Sequence, residues 1–361
     1  MASVFEPMKI GGLELVNRFA RSATWDAAAD DSGVVTEASL ALYRELGRGR
    51  IGLIFSGFAY VSRIQKAAIQ QYGIHDDAMI PRLRRMVDAA RVDGSKIAVQ
   101  IGGSGIQLGL LPPWEGEMHV AVSTRPEVER PHREMTDGEI EATIEDFVAA
   151  AVRGREAGFD AVQFHGAHGY LMSQFQSPLS NRRGDRWGGS PENRRRFHLE
   201  VVRRTRQAIG DDFPLMIKYG VKDASDRGLS LEEGIETARQ IVAAGLDAIE
   251  VSTGIGDVVP TVPKGGEVTP YREFAVAVGR VVDVPVMTVA GIRRLATAED
   301  IVASGDADMV ALCRPLIREP GLVARWQDGE TAPGTCISCN RCLTVAAGGV
   351  PLECGEDRRL R

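Results

Sequence analysis

Short apolar runs alternate with amphipathic stretches along almost the whole chain. Ile51-Gly-Leu-Ile-Phe55 is a continuous apolar run, the mark of a strand buried on both faces. The same pattern predicts strands over Phe19–Thr24, Lys96–Ile101, from Ala161 onward, and over Pro214–Tyr219, Ala248–Ser252, Pro285–Val289 and Met309–Leu312. Between them, helical stretches are predicted over Glu37–Leu46, Ile80–Ala90, Pro191–Ile209, Leu231–Ala244, Tyr271–Val281, Ala296–Ser304 and near Gly321–Gln327. Thr36 is placed to cap the first of these, and Pro81 fits the first turn of the second. Thr136-Asp-Gly-Glu139 is a capping-box signal opening one more helix, to about Glu156. A long loop rich in Gly, Pro and Trp114 reaches from the third strand to Met135; such loops are usually lids or binding segments. Eight strands alternating with eight helices imply a parallel sheet with right-handed crossovers, and the number favours closure. The chain is therefore read as α/β: a single (β/α)8 TIM barrel over residues 1–330 and a short cysteine-rich C-terminal segment over 331–361. An open doubly wound sheet is the runner-up. Against it, no G-x-G-x-x-G follows the first strand, and Gly47-Arg-Gly49 precedes a strand instead of opening a helix.

One strand ends in chemistry. In Ala161-Val-Gln-Phe-His-Gly-Ala-His-Gly-Tyr170, apolar residues give way to His165, His168 and Tyr170, separated by small residues. Any one of these rings could be a satisfied core residue. Three donor-capable rings at a barrel strand's C-terminal end point to a small-molecule site, because that face carries barrel chemistry. The loops after the last two strands, Thr288-Val-Ala-Gly-Ile-Arg-Arg294 and Ala311-Leu-Cys-Arg-Pro315, are where such barrels commonly hold phosphate. Gly291 lets a backbone N–H approach an anion and Arg314 offers a matching fork, with helix starts just beyond. An arginine paired with a structural carboxylate is the bland alternative. Isomerases and aldolases share this arrangement, so spacing alone supports a barrel enzyme with a phosphate-bearing ligand.

Composition narrows the partners. The 361 residues are 44% hydrophobic and 25% charged, ordinary for a globular protein with a sizeable core. A formal net charge of −6 argues against nucleic acid or an anionic membrane as the main partner. No apolar run approaches the ~18 residues needed to span a bilayer, and the N-terminus lacks a signal-peptide layout, so a cytoplasmic location is expected. Four of the five cysteines crowd near the C-terminus, which in a reducing compartment suggests metal or cluster ligation before disulfides.

The stretch FDAVQFHGAHGYLMSQFQSPLSNRRGDRWGGSPENRRR, Phe159 to Arg196, closely resembles the signature of the old yellow enzyme family of FMN-dependent oxidoreductases. The opening Phe5-Glu-Pro-Met-Lys-Ile-Gly-Gly-Leu-Glu-Leu-Val-Asn-Arg18 and the late Ala307-Asp-Met-Val-Ala-Leu-Cys-Arg-Pro315 also look like that family, so the resemblance covers nearly the full barrel. It implies FMN as cofactor and NAD(P)H as reductant, with an electron-poor alkene or enone as substrate. By the same resemblance, His165 and His168 bind the substrate's electron-withdrawing oxygen and Tyr170 protonates its α-carbon. Gln100 would contact the flavin ring, and Lys218 stands where an Arg usually lies near N1 and O2. Gly291 and Arg314 match phosphate contacts, Ala23 and Thr24 the flavin edge, and Gly57 the flavin-facing end of the second strand. A homo-oligomer is expected.

Several positions depart from the family pattern. Trp25 replaces a Thr or Cys that tunes the flavin potential. Lys218 is a point charge instead of a planar fork. Cys313 replaces a Gly before Arg314, Trp187 replaces a Tyr, and Gly102-Gly-Ser-Gly105 stands where many members carry His-Ala-Gly-Arg.

The tail reads Cys336-Ile-Ser-Cys339-Asn-Arg-Cys342, followed by Cys354, which is ligand-type spacing for an iron–sulfur cluster or a tetrahedral zinc. It resembles the cluster segment of trimethylamine dehydrogenase and bacterial dienoyl-CoA reductase. That resemblance sets [4Fe-4S] first, with vestigial thiols next and zinc last, and a cluster here calls for a separate redox partner. Two rival functions remain open: an FMN/iron–sulfur electron-transfer module, and a non-redox phosphate-binding barrel isomerase.

Overall fold

A computed structural model describes residues 2–107, 118–256 and 267–360. Its core is a barrel of eight parallel strands: β1 (Phe19–Arg21), β2 (Leu53–Phe55), β3 (Lys96–Gly102), β4 (Ala161–Gly166), β5 (Leu215–Gly220), β6 (Ala248–Ser252), β7 (Val286–Val289) and β8 (Met309–Leu312). β8 returns to β1 with Val310 opposite Phe19, and β2 meets β3 with Leu53 opposite Lys96, so the sheet closes on itself. Around it run α1 (Glu37–Arg48), α2 (Ile80–Ala90), α3 (Asp137–Glu156), α4 (Pro191–Ile209), α5 (Leu231–Ala243), α6 (Arg272–Gly279), α7 (Leu295–Ala303) and α8 (Leu322–Gln327). The expected (β/α)8 TIM barrel is the fold. Thr36 caps α1 by accepting from the Ser39 N–H, and Thr136 with Glu139 forms the reciprocal box that opens α3.

Strand alternation divides the barrel interior into layers. Ala20, Ala98, Ala161, Met216 and Ala248 belong to one apolar cluster with Leu53, Phe55, Met287 and Met309. Two residues further along five strands, on the same face, stand Ser22, Gln100, Gln163, Lys218 and Glu250, a buried polar layer. Two further still, at the mouth, come Thr24, His165 and Ser252. Small and flexible apolar side chains fill the base, and polarity begins where chemistry is wanted.

Several elements were not anticipated. A hairpin of Met8–Ile10 against Leu13–Leu15 brings Ile10 and Leu15 into the interior apolar cluster. The loop expected to run to Met135 contains two short strands, His119–Ala121 and His132–Glu134, paired in parallel. Trp114 lies outside the described residues. A short strand, Ala59–Tyr60, extends the sheet beside β3, and short helices follow β4 (Leu171–Gln176) and β8 (Arg314–Arg318). The tail forms α9 (Arg341–Ala347) and α10 (Gly355–Leu360). It is tied to the barrel: Arg318 pairs with Asp357 at 2.7 Å, and the Leu352 N–H donates to the Asp26 carbonyl at 2.8 Å. No helix among the described residues is long and apolar enough to cross a membrane.

Candidate active site

The mouth of the barrel is shaped by the turn after β4. His168 and Gly169 both adopt left-handed backbone, φ +63° and +74°. A histidine there is strained, and two contacts hold it. Its N–H donates to the Thr253 carbonyl at 3.0 Å, and its Nε2 lies 2.7 Å from Ser252 Oγ, which leaves Nδ1 for a ligand. His165, His168 and Tyr170 do come together: the His165 ring centroid is 5.3 Å from His168 and 4.7 Å from Tyr170. Phe58 completes the group, 5.1 Å from His165 and 5.0 Å from Tyr170. The run Gly102–Gly105 is explained by this packing. A Cβ at Gly102 would press on the His165 Cβ at 3.0 Å, and one at Gly103 would meet Gln65 and Leu171.

Burial sets the protonation states. It drives His165 down to about 3, assisted by the Lys218 charge, and holds His168 well below the ordinary histidine range for the same two reasons, with His165 adding a third. Both rings are therefore neutral at physiological pH. Burial pushes the Tyr170 phenol up to about 12, so it keeps its proton. The three rings thus offer neutral donors to whatever enters the site, beside the Lys218 ammonium on its floor.

Two confluent cavities open here. One, above the polar layer, is lined by Ala23, Thr24, Trp25, Phe58, Gln100, His165, His168, Tyr170 and Lys218. The other continues from Ala23, Thr24, Trp25, His168 and Lys218 toward Gly291, Cys313 and Arg314. Of the residues singled out from sequence for a cofactor, Gly57 alone is off both walls. It packs behind Thr24, where a Cβ would lie 2.9 Å from the Thr24 carbonyl, and its N–H donates to Tyr43 Oη at 2.7 Å. Trp25 forms wall in both cavities, with its indole N–H donated to the Ile69 carbonyl at 3.1 Å.

At the far end, Ala290 and Gly291 take consecutive positive φ values, +80° and +79°. Gly291 lies directly against the Val268 carbonyl, so any side chain there is excluded. Cys313 Sγ contacts Thr24 Oγ1 at 3.1 Å. Arg314 donates to Asn340 Oδ1 at 2.7 Å, and Arg293 to the Cys336 carbonyl at 2.7 Å, so both arginines also hold the tail. Cys336, Cys339, Cys342 and Cys354 line one small cavity beside Arg314, and Cys342 lines the larger cavity as well. Burial raises Cys336 and Cys354 and pushes Cys342 up to about 11. Among the described residues, no group of three or more His, Cys, Asp or Glu is gathered tightly enough to hold a single metal ion.

The second half of the long signature serves structure. Asn181 Nδ2 donates to the Phe175 and Trp187 carbonyls, and Arg194 to the Gln176 carbonyl and Glu233. Trp187 is fully buried and donates to Asp137 at 2.6 Å, at the start of α3. Sequence reading missed Phe58, Ser22, Gln163, Glu250 and Ser252. A usable signal was present: Ala98-Val-Gln100, Ala161-Val-Gln163, Met216-Ile-Lys218 and Ala248-Ile-Glu250 repeat one pattern, a polar residue two places after an inward apolar one.

Comparison with known proteins gives this geometry a context. The chain is 36% identical over 349 residues to an NADH oxidase of Thermoanaerobacter brockii, covering 94% of this chain and 53% of that protein. It is 34% identical over 322 residues to an NADPH dehydrogenase of Geobacillus sp. (strain WCH70), covering 88% of this chain and 91% of the other. A solved 2-naphthoyl-CoA reductase in complex with 2-naphthoyl-CoA superposes with a TM-score of 0.90 at 26% identity, over 98% of this chain and 56% of that one. The chain thus spans about half the length of some relatives and nearly all of others. Residues 3–332 match the family described as NADH:flavin oxidoreductase / NADH oxidase, and the chain belongs to that family, the old yellow enzyme family.

Proposed function

We propose that this chain is an FMN-dependent NAD(P)H oxidoreductase of ene-reductase type, acting on a small electron-poor alkene such as an enone. The observation that carries the reading is the convergence of His165, His168 and Tyr170, all uncharged, on one cavity above a polar floor. The residues present suit the cofactor: the left-handed Ala290–Gly291 turn and Arg314 at one end fit a phosphate, and Gln100 and Lys218 on the floor fit the polar edge of a flat ring. Ala23, Thr24, Gln100, Lys218, Gly291, Cys313 and Arg314 would hold it. When bound, FMN would supply hydride transfer, with NAD(P)H as the source of electrons.

The chain's own part is orientation and proton management. Two imidazole N–H donors aimed at the substrate oxygen stabilise the negative charge that develops there more than they stabilise the ground state. Because neither ring is protonated, neither gives up a proton, and the oxygen stays an anionic hydrogen-bond acceptor. Tyr170, protonated and within the same cavity, would deliver the proton to the α-carbon. Phe58 and Trp25 bound the space with flat apolar walls. Anaerobic titration with NADH and NADPH, followed by reoxidation with a cyclic enone, tests the reading. A protein that is colourless and takes up no added FMN ends it.

A second reading is supported by the tail: an FMN/iron–sulfur electron-transfer module serving a separate redox partner. Four thiols line one cavity, and their C-x-x-C-x-x-C spacing with a more distant fourth is of the ligand type found in iron–sulfur and zinc sites. Cys336, Cys339, Cys342 and Cys354 would be its ligands, with Cys342 facing the flavin cavity. Iron and sulfide assay with EPR after dithionite reduction separates the two readings.

A further inference from the structure

The polar layer beneath the mouth is one hydrogen-bonded chain. Ser22, Gln100, Gln163, Lys218 and Glu250 come from five different strands, and none exceeds 5% exposure. Glu250 has no accessible surface and receives three donors. Ser22 Oγ at 2.6 Å and Lys218 Nζ at 2.7 Å reach its Oε1, and Gln163 Nε2 at 2.9 Å reaches its Oε2. Lys218 Nζ also donates to Ser22 Oγ at 2.7 Å, and Gln100 Nε2 donates to Gln163 Oε1 at 2.7 Å.

A carboxylate can only accept hydrogen bonds, and that fixes the direction of the chain. Gln163 must turn its amide nitrogen toward Glu250 and so offers its oxygen to Gln100. Gln100 in turn commits its nitrogen to Gln163 and keeps its oxygen for the cavity it lines. Amide orientation is ordinarily ambiguous, but here the buried carboxylate dictates it. The same carboxylate lies at ion-pair distance from Lys218, so that ammonium meets the cavity with its charge balanced.

We propose that Glu250 is the positioning residue of the cofactor floor, fixing the hydrogen-bond polarity of Gln100 through Gln163 and tempering the charge of Lys218. The inference deepens the flavin reading and rests on it. A flavin's pyrimidine edge carries one donor, N3–H, between two carbonyl acceptors, and an outward Gln100 oxygen matches that donor. The reduced cofactor gains negative charge at the same edge. An ammonium already paired with Glu250 stabilises that charge less than an unpaired one would.

Two variants separate the effects. Glu250→Gln keeps the shape, removes the charge and lets both downstream amides reverse. Gln163→Met cuts the relay and leaves the Lys218–Glu250 pair intact. Each is compared with the unaltered chain for its two-electron flavin potential, and for its affinity for FMN against N3-methyl FMN. Glu250→Gln is expected to shift the equilibrium at least tenfold toward reduced flavin, a rise of about 30 mV for a two-electron couple. The unaltered chain should prefer FMN over the N3-methyl analogue at least tenfold, and both variants should lose that preference. A purely structural role would lower Tm and leave both readouts unmoved, and that result in folded variants overturns the proposal. If Glu250→Gln fails to fold, a Gln163→Met chain that keeps its preference for FMN overturns it. An unaltered chain that takes up no FMN overturns the cofactor reading itself, whereas one that binds FMN while its variants behave as wild type overturns the role of Glu250 alone.

Discussion

Tyr170→Phe removes one oxygen from a ring whose packing does not depend on it. The ring lies 5.0 Å from Phe58 and 4.7 Å from His165, contacts a phenylalanine keeps, and the hydroxyl has no hydrogen-bond partner among the described residues. Folding should therefore change by no more than about 0.5 kcal/mol, the range of substitutions that break nothing. Catalysis should change far more. General acids contribute roughly 10²–10⁴-fold, which is about 2.7–5.4 kcal/mol of barrier. Anaerobic stopped-flow isolates the effect: reoxidation by an enone should slow by that factor, while reduction by NAD(P)H keeps its rate. Because burial holds the phenol near 12, the Tyr170-dependent rate should stay level through neutral pH and fall only as pH climbs toward that value. Reoxidation in the variant within twofold of wild type would refute Tyr170 as the proton donor.

Ser252→Ala removes the 2.7 Å contact that fixes the His168 ring; the loss of one hydrogen bond, about 1 kcal/mol, should weaken carbonyl or phenolic ligands severalfold in a charge-transfer titration, with the flavin spectrum unaltered. Arg314→Ala should raise the FMN dissociation constant roughly tenfold or more, the cost of a charge-assisted contact, and should also speed limited proteolysis of the tail by freeing Asn340. His198 is fully buried with both ring nitrogens unpartnered among the described residues, and burial lowers it from 6.5 to about 3. The unfolded chain then takes up a proton below about pH 6.5 that the native chain refuses, so stability falls as pH drops from 6.5 toward 3; Tm against pH for His198→Phe should show a shallower slope in that window.

Barrel strands and helices were legible because parallel strands buried on both faces read as apolar runs, and helices carry their caps in the sequence. Thr36, Pro81 and the Thr136–Glu139 box all act where expected. The base hairpin was not legible, since Met8-Lys-Ile and Leu13-Glu-Leu are too short for periodicity to register. The His/His/Tyr group was legible because all three rings follow one strand. Phe58 was not, because it comes from another loop and only folding brings it to 5.1 Å from His165. Glu250 escaped for a different reason. Strand β6 reads as a buried run, and a lone carboxylate there acquires meaning only when its partners on neighbouring strands are known. Gly57 was placed by resemblance at the end of β2, whereas the chain turns it behind Thr24.

The family match ends at residue 332, but the cavity proposed for the cofactor does not. Ser338, Asn340, Cys342, Leu343 and Leu352 all stand in its wall. The arginines expected at the phosphate end reach the other way as well, Arg314 to Asn340 and Arg293 to the Cys336 carbonyl. A guanidinium has five donors, so one fork can serve an anion and the tail together. An anion bound at Gly291 would thus meet cations already oriented by the cysteine segment, and the order of that segment would depend in turn on the charge beside it. Such dependence is reciprocal by thermodynamic necessity. Cys342 lines the cavity directly, and the Cys336 carbonyl reaches it through Arg293. The segment after the barrel is therefore a wall of the site, joined to it through Arg293 and Arg314.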